Sequence, residues 1–195
     1  MSKTFTVLLD LDSTVYDLLT PTLKWVNMVY KLDLTPADIK TWNWDKDHGV
    51  NPLLYWSTKY TFLNLKPFPG AQEAIKKVAM WGVRQIFFST IVTEHGAWEK
   101  FNAVDRDFPL IGRKNTLLTG GLKDLARGDM LVDDGPHNLV DFAATGGLAV
   151  LADLYGAPYC QAHAPVTDLM TQWKQYPEIV LTAMQGGFGW SENAG

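Results

Sequence analysis

Short runs of apolar residues, each about the length of one buried β-strand, recur along the chain. An apolar run bounded by polar residues is typical of a strand that is covered on both faces of a parallel sheet. The predicted strands are residues 4–10, 83–90, 130–134 and 147–151, with a weaker candidate at 115–118. Over 71–79 and 97–108 the apolar residues return every three to four positions, which predicts amphipathic helices.

The alternation of strands and helices predicts an α/β fold, a three-layer parallel sheet with right-handed crossovers. One interval, residues 18–65, is too long for a single crossover helix, and it is rich in Trp and Tyr. We interpret it as a small helical cap inserted after the first strand, here called the inserted segment. The predicted core is then 1–17 together with 66–185. Residues 186–195, rich in Gly and polar residues, are predicted to form a mobile tail.

Composition narrows the functional classes. The 195 residues suit one domain with a small insertion, and the formal net charge of −4 argues against binding to a nucleic-acid polymer. A single nucleotide is still an acceptable ligand. The one cysteine, Cys160, cannot form an internal disulfide, so the predicted location is the cytoplasm. No apolar run reaches the length of a membrane span, and no membrane association is predicted.

Polar side chains follow three of the predicted strands, where ligands of parallel sheets bind. Asp10 is the last residue of the first predicted strand, and Asp12 follows it by two positions. Phosphoryl transfer through a covalent intermediate needs one carboxylate as nucleophile and a second group as acid and base, and these two residues suit those roles. Asp133 follows another strand. Because its charge, that of Asp10 and that of a phosphate gather only around a hard cation, Mg²⁺ is the predicted cofactor.

Each of these features also has an ordinary explanation. An Asp-x-Asp sequence is common in turns, and the pair Asp133-Asp134 is common at a solvated strand end. Ser89-Thr90 after a strand is a frequent helix cap, although the Thr90 hydroxyl also suits a phosphate oxygen. The hypothesis of one site depends on their order along a single α/β pattern.

The order Asp-x-Asp, Ser/Thr, Lys, Asp-Asp resembles the haloacid dehalogenase superfamily over about residues 5–140. Within it the chain looks like the 5′(3′)-deoxyribonucleotidases. The matching segments are 10–17 (Asp-Leu-Asp-Ser-Thr-Val-Tyr-Asp), 62–71, Glu99-Lys100 in the helix after the second motif, Lys123 ten residues before Asp133, and 173–179. This resemblance implies a haloacid dehalogenase-like, Rossmannoid fold.

The resemblance also implies roles for individual residues. Asp10 would be the nucleophile and a metal ligand, and Asp12 the acid/base, which also binds the metal through its backbone carbonyl. Asp133 would bind Mg²⁺, and Asp134 would orient the metal ligands without binding the metal itself. Thr90 and Lys123 would hold the phosphate, and Lys114 is the alternative lysine.

The chain departs from the family pattern at several positions. Ser13 stands where the family usually has glycine, and Ile91 and Val92 stand where it tends to have Ser-Pro. Glu94 lies near a position where a lysine often reaches the phosphate. Both carboxylates of the first motif are kept, so the departures concern substrate preference.

Trp56 lies fourteen residues before Gly70, where the resembled nucleotidases present a Trp to the nucleobase. The alternative is that Trp56, with Tyr55, fills the small core of the inserted segment. The resemblance therefore implies hydrolysis of a nucleoside monophosphate, in particular a deoxynucleotide, and it leaves a homodimer open. One alternative substrate is another small phosphoester, such as a sugar phosphate. The other alternative is a catalytically dead nucleotide-binding protein, but such a protein needs no second carboxylate at Asp12.

Overall fold

A central sheet of parallel strands organises the fold. The structure is a computed structural model that describes residues 4–89, 93–119, 127–161 and 166–186. The strands described are β1 (Thr6–Asp10), β2 (Arg84–Ser89), β3 (Thr116–Leu118), β4 (Met130–Asp133), β5 (Leu148–Ala152) and β6 (Asp168–Met170). They are ordered β3-β2-β1-β4-β5-β6, and every neighbouring pair is parallel.

The five strands predicted from apolar runs are confirmed, with ends that shift by no more than two residues. The sixth strand, β6, was not predicted. It is three residues long at the edge of the sheet and exposes Leu169, so it shows no continuous apolar run.

Helices connect the strands. They are α1 (Leu19–Tyr30), α2 (Trp44–His48), α3 (Leu53–Trp56), α4 (Ala71–Ala79), α5 (Gly96–Asp107), α6 (Pro136–Ala143) and α7 (Tyr176–Met184). The two predicted amphipathic helices are α4 and α5. Within the described ranges, none of the helices combines the length and the apolarity that a membrane span requires.

The two faces of the sheet carry separate apolar clusters, because successive side chains of a strand point to opposite faces. Val7 and Leu9 pack in one cluster with side chains from α4, α5 and α7. Leu8 packs in the other cluster with side chains from α1 and α6. The predicted three-layer α/β architecture is confirmed.

The inserted segment contributes to both clusters, Leu19 to one and Phe62 to the other. Its ends run side by side, since the Asp17 N–H donates to the Lys66 carbonyl (3.0 Å) and the Phe68 N–H to the Val15 carbonyl (3.0 Å). The division into a core and a cap remains a prediction. The predicted tail lies, apart from Gly186, outside the described residues.

The order of the strands determines where Asp10 and Asp133 lie in the sheet. From β1 the chain adds β2 and β3 on one side, and it then returns to add β4, β5 and β6 on the other side. The carboxyl ends of β1 and β4 therefore flank the point where the direction of winding reverses, which is where open parallel sheets bind ligands. Asp10 and Asp133 are the last residues of these two strands.

Candidate active site

The loop after β1 is a tight turn that fixes both carboxylates of the first motif. The N–H groups of Val15 and Tyr16 donate to the Leu11 carbonyl (3.2 and 2.8 Å), and the Ser13 N–H donates to the Tyr16 carbonyl (2.9 Å). Ser13 has a φ of 67°, in the left-handed region that glycine adopts most easily. This conformation is the physical reason for a glycine at this position, and here a serine adopts it.

Three buried carboxylates meet beyond the ends of β1 and β4. Asp10, Asp133 and Asp134 each place one carboxylate oxygen within 4.8 Å of the others. We call these three residues the acidic cluster. Each is at most 4% exposed. Burial of several carboxylates at such distances is costly unless cations or hydrogen bonds offset their charge.

Hydrogen bonds orient two members of the acidic cluster. Oδ1 of Asp133 accepts from the Gly135 N–H (2.8 Å) and from Nδ2 of Asn138 (2.9 Å), both at the start of α6. Asp134 accepts from the Thr14 hydroxyl (3.3 Å) and from the Tyr159 hydroxyl (2.7 Å). The start of α6 thereby orients Asp133, and Thr14 ties Asp134 to the loop after β1.

Tyr159 is a fixed donor to the acidic cluster. Burial, and then the nearby charge of Asp134, raise the pKa of the Tyr159 phenol far above its ordinary value. The phenol therefore keeps its proton at any physiological pH and continues to donate to Asp134.

The donor set suits a hard cation. All three ligand atoms of the acidic cluster are carboxylate oxygens, which Mg²⁺ and Ca²⁺ prefer. The buried cluster fits a divalent metal site.

Asp12 has a different environment from Asp10, although only Leu11 separates them. Oδ2 of Asp12 accepts from Nζ of Lys100 (2.5 Å) and from the Ser89 hydroxyl (2.5 Å), and Nζ of Lys100 also donates to Ser89 Oγ (2.6 Å). We call Asp12, Ser89 and Lys100 the Lys100 network. All three are buried. One carboxylate of the loop thus joins other carboxylates, and the second is paired with an ammonium.

The structure brings Asp10, Asp133 and Asp134 together and places Asp12 on the same loop as Asp10. Thr90 and Lys123 lie outside the described residues. Lys114 lies in the 3₁₀ turn Arg113–Asn115, which directly precedes β3. This turn is therefore at the amino ends of the parallel strands, whereas the acidic cluster lies at their carboxyl ends.

Trp56 is buried, at 7% exposure. Its Nε1 donates to the Thr22 hydroxyl of α1 (2.9 Å), and its ring meets Trp42 edge-on with centroids 6.0 Å apart. Trp42 is half-buried and contacts the ring of Tyr159 (5.0 Å). Trp56 and Trp42 of the inserted segment therefore form a line of aromatic contacts that ends at Tyr159, whose hydroxyl donates a hydrogen bond to Asp134.

Lys100 and Tyr159 were given no role from the sequence. For Lys100 a signal was available, because the buried face of α5 consists of Gly96, Glu99, Lys100, Ala103 and Val104. Two charged residues on the apolar stripe of a helix indicate buried partners. The sequence carries no comparable signal for Tyr159.

Comparison with known proteins identifies the family. The model of the family "5′ nucleotidase, deoxy (Pyrimidine), cytosolic type C protein" matches residues 4–185. The chain belongs to this family. It is a phosphoric monoester hydrolase of the 5′-nucleotidase type, as the resemblance in the sequence implied.

Similar proteins agree with this assignment. A 5′(3′)-deoxyribonucleotidase of Bacillus subtilis is 28% identical over 150 residues, which cover 75% of this chain and 84% of that protein. A 5′(3′)-deoxyribonucleotidase of Clostridium acetobutylicum is 31% identical over 140 residues, covering 69% and 75%.

Solved structures share the fold at low identity. A haloacid dehalogenase family hydrolase of Deinococcus radiodurans, solved with phosphate and sodium bound, has a TM-score of 0.59 at 14% identity and covers 100% of both chains. A haloacid dehalogenase-like protein of Agrobacterium tumefaciens has a TM-score of 0.64 at 11% identity, covering 93% of this chain and 100% of that one. The fold is therefore of the haloacid dehalogenase type.

Proposed function

We propose that the protein hydrolyses deoxynucleoside monophosphates to nucleoside and phosphate through a phosphorylated Asp10, with Mg²⁺ as cofactor. The observation that carries the proposal is the contrast between the two carboxylates of one loop. Asp10 belongs to the acidic cluster, whereas Asp12 is bonded to Lys100 and Ser89. A nucleophile beside a metal and a separate proton carrier need these two environments.

In the first half-reaction a carboxylate oxygen of Asp10 forms a bond to phosphorus while the bond from phosphorus to the ester oxygen breaks. Asp12 gives its proton to the departing oxygen, so the nucleoside leaves as an alcohol. In the second half-reaction water attacks phosphorus, Asp12 takes a proton from that water, and the carboxylate of Asp10 is released with inorganic phosphate.

Mg²⁺ would be held by Asp10, Asp133 and the backbone carbonyl of Asp12, with Asp134 beside them. When bound, it would neutralise charge on the phosphate and on the attacking carboxylate. The mutual approach of the three buried carboxylates supports this assignment. Thr90 and Lys123 are proposed to bind the remaining phosphate oxygens.

The preference for a deoxynucleotide is supported by the two relatives named as 5′(3′)-deoxyribonucleotidases. Trp56 is proposed to contact the nucleobase, with Trp42 beside it. A homodimer and a cytoplasmic location remain predictions.

The testing experiment measures phosphate release from a panel of deoxyribonucleotides, ribonucleotides and sugar phosphates, with Mg²⁺, with Ca²⁺ and with a chelator. We expect the highest kcat/KM for deoxynucleoside monophosphates, loss of activity with the chelator, recovery with Mg²⁺ and poor substitution by Ca²⁺, which prefers looser coordination. Fluoroberyllate should inhibit by imitating the acyl phosphate. Preference for sugar phosphates would favour the alternative substrate class, and activity in chelator would exclude the metal.

A further inference from the structure

Two consecutive charged residues of α5, Glu99 and Lys100, are buried at 1% and 3% exposure. Charged side chains are almost never fully buried without partners. Consecutive residues of a helix do not face each other, so each of the two reaches a different neighbour. Their partners lie in two separate parts of the site.

Glu99 binds the backbone of the inserted segment near its exit. Its carboxylate oxygens accept from the N–H groups of Tyr60 (2.5 Å), Phe62 (2.9 Å) and Leu63 (3.4 Å). One buried carboxylate therefore fixes the course of this stretch of chain against α5, and Tyr60 adopts a left-handed φ of 72° within it.

The stretch that Glu99 holds, residues 60–63, also contacts Lys100 through the ring of Phe62. Nζ of Lys100 lies 4.2 Å from the centroid of the Phe62 ring, a favourable cation–π distance. The first residue of α5 must be small for this approach, because a Cβ on Gly96 would lie 3.2 Å from two carbons of the same ring.

Lys100 in turn orients Asp12. Among the residues that the structure describes, the side-chain hydrogen bonds of Asp12 all use Oδ2, which receives Lys100 and Ser89. Oδ1 is consequently the oxygen that would exchange a proton with the ester oxygen of a substrate. A carboxylate that could rotate would present either oxygen and would lose part of the benefit of fixed geometry.

We infer that Lys100 is a positioning residue for the acid/base Asp12, and that Glu99 positions Lys100 by fixing the Phe62 ring. This inference rests on the proposed function. It differs from a role in phosphate binding, in which Lys100 would contact the transferred group directly.

The first test replaces Lys100 by Met and compares a deoxynucleotide with a nitrophenyl phosphate. Proton donation matters most for a basic leaving group, so kcat for the nucleotide should fall by about 10²-fold, within the range of general acid–base catalysis, and kcat for the nitrophenyl ester by about tenfold less. KM and inhibition by inorganic phosphate should change by less than about twofold, since a purely positioning role leaves ground-state binding unchanged. Equal losses on both esters with weakened phosphate inhibition would assign Lys100 to the phosphate and overturn the inference.

Two further variants keep the test valid if Lys100→Met does not fold. Ser89→Ala keeps the lysine and removes one partner of Asp12, and it should show the same selective loss on the nucleotide at smaller size. Glu99→Gln turns an amide N–H₂ group toward backbone donors and should act in the same direction. Equal effects on both esters in these variants contradict the inference.

The matched controls are Lys77→Met and Glu73→Gln on the exposed face of α4. The Lys77 ammonium also lies over an aromatic ring, that of Trp81 at 5.8 Å, but at the surface. Both controls should leave both activities unchanged. A wild-type protein without nucleotide hydrolysis would refute the proposed function, whereas an active wild type with equal losses in Lys100→Met would refute this inference alone.

Discussion

The acidic cluster and the Lys100 network each contain a carboxylate from the loop after β1, but their surroundings differ. On the β4 side, Asp10 lies close to two further carboxylates, Asp133 and Asp134, which accept hydrogen bonds from hydroxyl, amide and N–H groups. On the β2 side, Asp12 meets an ammonium and a hydroxyl. The first environment brings several carboxylates together, as a cation site does, and in the second an ammonium and a hydroxyl contact a single carboxylate. Two carboxylates one residue apart, at the end of β1 and in the loop after it, thus acquire different chemistry from the strands on either side.

Asp10→Asn, which changes the carboxylate of the acidic cluster, is expected to have the largest effect on kcat. An amide can neither attack phosphorus nor offer a full charge to Mg²⁺, so kcat should fall by a factor on the order of 10⁴ or more while the fold stays intact. Steady-state phosphate release and circular dichroism measure the two quantities. Asp141→Asn, at an exposed position of α6, is the control and should be fully active. Retention of more than about a tenth of the activity would remove Asp10 from the nucleophile role.

Asp12→Asn tests the carboxylate of the Lys100 network. It should lower kcat by a factor that depends on the leaving group. We expect a loss of about 10²–10⁴-fold in kcat for a nucleotide and a smaller loss for a nitrophenyl ester, whose departing oxygen needs no proton. The phosphorylated enzyme should still form from the nitrophenyl ester, as a rapid burst of nitrophenol. If both esters lose activity equally, Asp12 is not the acid/base.

Trp56→Ala extends the comparison to the inserted segment. Stacking on a base contributes about 1–3 kcal/mol, so kcat/KM for nucleotides should fall by about 10–100-fold, whereas a small ester without a base should lose much less. Trp98→Ala, at an exposed position, is the matched control. Equal losses on both substrates, or none, would make Trp56 a packing residue that supports α1 through Thr22.

Tyr159→Phe tests the donor side of the acidic cluster through stability. Burial raises the pKa of Tyr159 in the folded protein, so above about pH 10 the unfolded chain loses a proton that the folded protein keeps, and the free energy of unfolding falls as pH rises. The variant should be less stable at pH 8 by about 1–3 kcal/mol, for the lost hydrogen bond to Asp134, and should lose less stability between pH 9.5 and 11.

Thermal unfolding across this pH range, with Tyr60→Phe as the exposed control, measures both effects. The same alkaline slope in Tyr159→Phe and in the wild type would contradict the assignment.

Ser13→Gly is expected to have the smallest effect, in the loop that both environments share. Glycine relieves the left-handed strain at φ 67° but adds conformational entropy to the unfolded chain, so the net gain in stability should be below about 1 kcal/mol. Thermal unfolding at neutral pH measures it. A loss larger than this gain would indicate that the serine side chain stabilises the turn.

The strands and the residues at their carboxyl ends were predictable because both signals are local. An apolar run followed by Asp10 or Asp133 is visible within a few positions, and parallel sheets bring such ends to one edge. The pairing of Asp12 with Lys100 joins residues 88 positions apart, and no local pattern contains it. The sequence left open whether Trp56 packs within the inserted segment or contacts a nucleobase, because its surroundings depend on how α1 folds back over α3.

The central place of β1 in the sheet also affects the order in which the site is made during synthesis. Asp10 leaves the ribosome before its partner Asp133 on the neighbouring strand, which follows on the order of 6–25 s later at usual rates of translation. Until then the nascent chain exposes one edge of an apolar strand and has no complete set of metal ligands. Metal binding can therefore stabilise this fold only after the chain has been synthesised beyond Asp133, and it cannot guide the folding steps that come before.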